Sequence, residues 1–122
     1  MTLQVNLINY PSGIPVQDAG AYYTPITKTN TFFTVQTDTV VWTPAAGKRI
    51  HLLGAEFSTS ADMDIQLESN NVDVIPPLYF IANGGANITG PGEIWRGGWD
   101  ETLTVTSTAS GNWSVKLWGY EN

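Results

Sequence analysis

From Asp100 to Asn122 the chain keeps a period of two almost to its last residue. In Thr102–Thr108, Leu103 and Val105 alternate with threonines; in Asn112–Trp118, Trp113, Val115 and Leu117 alternate with Ser114, Lys116 and Trp118. Alternation built from β-branched and aromatic residues and broken by Ala109-Ser110-Gly111 predicts an antiparallel hairpin with one buried face. Leu103, Val105, Trp113, Val115 and Leu117 form its expected inner face. The threonines, Lys116 and Trp118 form its outer face. An outward tryptophan on a regular strand marks a surface that something covers, so Trp118→Ser is expected to weaken assembly more than it unfolds the protomer.

The same grammar runs through the rest of the sequence. Leu3, Val5 and Leu7 read as a short strand ending in the Tyr10-Pro11-Ser12-Gly13 turn. Ile14 to Lys28, with Pro15, Gly20 and Pro25, reads as an extended arm, so residues 1–30 are a strand plus an arm. Thr31–Gln36 and Thr39–Thr43 follow as strands, then a tight turn at Pro44-Ala45-Ala46-Gly47. Lys48–Ser60 is the longest regular segment, and Gly54 in its middle signals a bulge or a close approach. In Asp62–Glu68, Met63, Ile65 and Leu67 alternate with Asp62, Asp64, Gln66 and Glu68, which reads as a strand with a wet face. Val72–Ile81 is extended, and Pro76-Pro77 confines it to an edge, a bend or a break. Asn83–Gly85 and Gly90–Gly92 bracket a loop-rich region reaching Trp99. No helical stripe of useful length occurs. Short strands at regular spacing predict an all-β fold over 1–122, a single-domain antiparallel sandwich or small barrel. Greek-key and up-and-down connections share this pattern.

Of the 122 residues, 42% are hydrophobic and only 13% are charged, about half the ordinary share of charge. The surface must therefore be built from Thr, Asn, Ser and Gln, which suits a protein covered by neighbours or a very stable one. The net charge is −6, and the cations are Lys28, Lys48, Arg49, Arg96 and Lys116. Nucleic acid and anionic membranes need clustered cations, so neither is an expected partner. Without cysteine there is no disulfide scaffold and no thiolate metal site. The first residues lack a basic start and a long apolar run, and no stretch approaches the ~20 apolar residues of a membrane span.

Reactive side chains are scarce. His51, the sole histidine, lies mid-strand without a nucleophile motif and reads as structural or as an interface residue, not a catalytic one. Asp62 and Asp64, followed by Glu68, Asn70, Asn71 and Asp73, offer hard oxygens, but without EF-hand spacing they fit a solvated strand face. Glu93, Asp100 and Glu101 near Trp95 and Trp99 resemble the makings of a sugar cleft. A glycosidase, though, needs two carboxyls at a set separation across that cleft, which adjacency does not supply. Gly90–Trp99 is the stretch most suited to touching something: Trp95, Arg96 and Trp99 are of the types that anchor interfaces. They equally suit a core plug or a platform for a sugar.

The order of elements resembles small β-sandwich structural proteins of tailed bacteriophage virions, of the capsid decoration (cement) or head-fibre type. The resemblance rests on Val41–Gly54, Ala55–Leu67, Pro77–Ile81, Glu101–Thr106 and Trp113–Glu121, and covers about two thirds of the chain, from Val41 onward. It implies a jelly-roll or tumour-necrosis-factor-like sandwich, a homotrimer bound to a major capsid or other virion protein. Synthesis would be in the host cytoplasm, with no enzyme activity, cofactor or metal. The interface or ligand candidates are then Trp95, Arg96, Trp99, Trp118 and Tyr120, and the Ile14–Lys28 arm would reach a neighbour. The alternative is a carbohydrate-binding module using Trp95 and Trp99. A small double-stranded β-helix enzyme is a poor third, lacking a His pair and a Cys to bind metal.

Overall fold

The computed structural model describes residues 16–18 and 21–122. The expected strand at Leu3–Leu7 and the turn at 10–13 lie outside them. The strands are β1 (Val16–Asp18), β2 (Ala21–Tyr23), β3 (Ile26–Phe32), β4 (Thr39–Trp42), β5 (Ile50–Thr59) and β6 (Met63–Ser69). They continue with β7 (Val72–Phe80), β8 (Gly85–Thr89), β9 (Trp95–Arg96), β10 (Leu103–Ser107) and β11 (Trp113–Glu121). No helix occurs among the described residues.

Two antiparallel sheets carry the fold. One runs β4-β10-β6-β7; the other runs β3-β11-β5-β8, with β9 also paired to β5. Setting aside β1, β2 and β9, each connection among the eight strands left crosses between the sheets except the β6–β7 hairpin, in the wrapped order of two interlocked Greek keys. That order is the jelly roll, and it decides between the connection schemes that alternation leaves open.

The same topology corrects the expected closing hairpin. β10 pairs with β4 and β6, whereas β11 pairs with β3 and β5. Residues 108–112 cross from one sheet to the other. Alternation reports which face of a strand is buried and says nothing of its neighbour, so two strands opposed across a core look like two strands side by side. The inner-face residues are as expected: Leu103, Val105, Trp113, Val115 and Leu117 are all buried, in one cluster with Trp42, Ile50, Leu52, Phe57, Met63, Ile65 and Leu67.

Other differences are local. Ile26–Lys28, read as part of the arm, begin β3 and pair with Gly119–Leu117. Upstream of them β1 and β2 form a small hairpin of their own. The loop-rich region contains β8 and β9, held to β5. Pro76 and Pro77 lie on β7, the edge of its sheet, where a missing N–H removes no ladder bond inside the sheet. The turn before β5 forms through Lys48 N–H donating to Ala45 O at 3.0 Å, with Gly47 at φ 75°. Glu68, expected on a wet face, is buried; Thr106 Oγ1 donates to its Oε1 at 2.7 Å.

Candidate functional site

Most of the candidate residues meet at the start of β5, because the loops around β9 and the last residue are all tied there. Ile94 N–H donates to Leu52 O at 2.7 Å, Gly97 N–H to Ile50 O at 2.9 Å, and Asp100 N–H to Lys48 O at 2.8 Å. Arg49 and Asn122 exchange backbone bonds of 2.8 and 3.2 Å.

At the centre is His51, buried. Its Nδ1 lies 2.6 Å from Glu93 Oε2, and its Nε2 lies 2.6 Å from Asn122 Oδ1. Both ring nitrogens are thus held by side chains from outside β5. Asn122 Nδ2 donates in turn to the Tyr23 hydroxyl at 3.3 Å. The other Glu93 oxygen meets the Arg96 guanidinium at 2.6 Å. Three rings are stacked: Tyr23 on Tyr120 at 4.7 Å and Tyr120 on His51 at 4.4 Å, both within 6° of parallel. His51 is thus a clamp between β2, β5, β9 and β11, with its polar atoms committed to structure.

Within this clamp the Glu93 carboxyl is shifted. Burial raises its carboxyl pKa, but hydrogen bonds from His51 and Arg96 and the charges behind them prevail and leave it lowered. A depressed carboxyl contributes stability above its unfolded pKa of about 4.3 and loses it as pH falls through the lower folded value. Thermal unfolding of wild type and Glu93→Gln is therefore expected to differ most above pH ~4 and to converge below it. A gap that widened on acidification would overturn this.

Other acidic candidates are also engaged. Asp100 Oδ1 accepts from Gly47 N–H at 2.7 Å, and Glu101 accepts from Gly98 N–H at 2.7 Å and from the Ser69 hydroxyl. Asp62 Oδ1 accepts from Ala82 N–H at 2.8 Å. These contacts fit polar scaffolding of the loops.

The aromatic candidates separate. Trp95 is half-buried and packs against the core, its ring over Gly97. Trp99 is exposed, and the Arg49 guanidinium sits 4.4 Å from its ring centroid, a cation–π contact. Arg96 is half exposed beside Glu93. Tyr120 is 1% exposed, with both ring faces occupied. Trp118 is half-buried, and its indole lies over Gly54.

Sequence reasoning missed a second group. Phe33, Val35, Tyr79 and Ile81 are exposed. Gln36 is tied to Ser107 by bonds of 2.9 and 3.0 Å; Ser107 pairs with Ile65, and Ile65 with Leu78. The backbone positions of the four therefore lie toward one end of the β4-β10-β6-β7 sheet, with Asp64 and Thr108 between Val35 and Tyr79. Val72–Ile81 reads only as an extended segment with Pro76-Pro77 in it, so nothing local flagged Tyr79.

No family model matches the chain, and no curated protein matches it. Among solved structures, a chain in the cryo-EM virus-like particle of the giant freshwater prawn Macrobrachium rosenbergii extra small virus is similar, with 16% identity and a TM-score of 0.38. The likeness covers 99% of this chain and 92% of that one. The jelly-roll assignment rests on strand order and not on this likeness.

Proposed function

We propose that the protein is a non-enzymatic virion structural protein, one sandwich domain over 1–122 that assembles as a homotrimer and binds the capsid shell as a decoration or cement protein. The observation that carries the reading is the exposure of Phe33, Val35, Tyr79 and Ile81 toward one end of a sheet, on a surface otherwise poor in charge. Grouped apolar exposure of that kind marks a contact surface. Burial on the order of 1,000 Å² or more per contact would hold subunits together. The jelly roll is a frame on which virus shells are built, which agrees with the reading as an analogy of fold. In this reading Trp99 with Arg49 adds a second contact.

Light scattering at micromolar concentration is expected to give the trimer mass. Phe33→Ser with Tyr79→Ser is expected to lower it to the monomer mass while changing protomer stability by no more than about 1 kcal/mol. A stable wild-type monomer removes the trimer. Mass spectrometry of purified particles that fails to find the chain removes the virion reading.

A further inference from the structure

We propose that the outer face of the β3-β11-β5-β8 sheet binds a short neutral oligosaccharide, with the Trp118 indole as its stacking platform. This rests on the face itself and not on the virion reading. Strand pairing sets out three rows across it: Thr27, Trp118, Gly54 and Thr89; then Thr29, Lys116, Glu56 and Asn87; then Thr31, Ser114, Ser58 and Gly85. In the first row Gly54 leaves its place empty and the indole fills it. A Cβ on Gly54 would collide with Cζ2, Cε2 and Nε1 of Trp118. The ring therefore lies over the Gly54 backbone and is half-buried there.

Toward the far end of the same face, Thr31, Ser58, Ser60, Asn112 and Ser114, together with the buried Thr59 and Trp113, line a shallow cavity of about 290 Å³. The Ser58 and Ser114 hydroxyls there are 2.7 Å apart. Trp118 and Ser114 are separated along β11 by about 13 Å at the usual rise per residue, which suits an oligosaccharide more than a single sugar. Between them Asn87 Nδ2 donates to Glu56 Oε2 at 3.4 Å, and Lys116 stands opposite Glu56. One cation facing one anion leaves these rows neutral in a chain of net charge −6. A ligand of hydroxyls with one apolar ring face matches that chemistry: the face stacks on indole and the hydroxyls meet Ser, Thr and Asn. A protein partner matches it poorly, since interface centres are depleted in Ser, Lys and Glu.

The test uses the full chain on immobilised neutral oligosaccharides of glucose, galactose, mannose and N-acetylglucosamine, followed by NMR titration of the best binder. Saturable binding should shift the Trp118 indole N–H, with Trp118→Ala weakening it about tenfold or more and Asn87→Ala several-fold. Oligomer mass should not change, contrary to the expectation from alternation alone that a neighbouring copy covers Trp118. The proposal is overturned if no neutral glycan binds, if the shifts fall on Trp99, or if folded Trp118→Ala binds as wild type. It is also overturned if Trp118→Ala changes the oligomer mass, because a second copy then covers the face. Should Trp118→Ala not fold, Asn87→Ala and Ser114→Ala decide it, and unaltered affinity in both counts against the site.

Discussion

Trp42→Ala is expected to cost about 3–5 kcal/mol, the range for emptying a buried tryptophan site, out of a total of about 5–15 kcal/mol. Trp42 ends β4 in one sheet and is 1% exposed. Its Nε1 donates at 2.8 Å to Glu121 Oε2 at the end of β11 in the other sheet, and the second Glu121 oxygen accepts from Ala45 N–H at 2.9 Å. The side chain therefore fills the core and ties the sheets at one place. Trp42→Phe separates the two roles: it keeps most of the apolar volume and leaves a carboxylate oxygen without its indole donor, worth about 1–3 kcal/mol. Urea unfolding at constant slope reads both values. If the alanine variant lost less than about 1 kcal/mol, Trp42 would not be holding the sheets together.

The contrast between these two variants parallels what was readable in the sequence. Burial is non-directional, so a period of two suffices to place Leu103, Val105, Trp113, Val115 and Leu117 inside. Pro76-Pro77 on an edge and Gly54 at a close approach were also readable, because each depends on the local backbone. What depends on a distant partner was not. Pairing of β11 with β3 and β5 instead of β10 is set by hydrogen bonds between segments far apart in sequence. Glu68 reads as solvated until Thr106, on a neighbouring strand, is seen to cap it. Tyr120 reads as a contact residue at the end of a final strand, but Tyr23 from the opposite end of the described chain covers one of its faces. His51 reads as a structural or interface residue from the lack of companions; that Glu93, Asn122 and Tyr120 would enclose it was not readable.

Gly119→Ala is expected to cost about 3 kcal/mol or more, at the upper end for overpacking, and Gly54→Ala about 1 kcal/mol, although both glycines face close neighbours. The difference lies in what the added methyl meets. At Gly119 it would strike the carbonyl oxygen of His51, with that carbonyl carbon 3.0 Å and Leu52 Cα 3.2 Å away. All three are backbone atoms of β5 and cannot rotate aside. At Gly54 the wall is the Trp118 ring, which can swing toward solvent. Gly119 also sits at an irregular register: Trp118 pairs with Gly54 but Gly119 pairs with Leu52, so β5 carries one extra residue, Leu53. Such a bulge reverses which side successive residues face. On one side of it Ala55 and Phe57 point inward; on the other Ile50 and Leu52 do, which frees His51 to meet Tyr120 and Glu93 on the outer face. Forcing the strands apart at Gly119 should therefore loosen the His51 clamp as well as the core, and Gly119→Ala should lose the acid sensitivity assigned to Glu93. Gly54→Ala should keep that sensitivity and shift tryptophan emission to the red as the Trp118 indole leaves the sheet. Equal costs at the two glycines would mean that the backbone of β5 can yield, and the bulge would then not be what fixes the clamp.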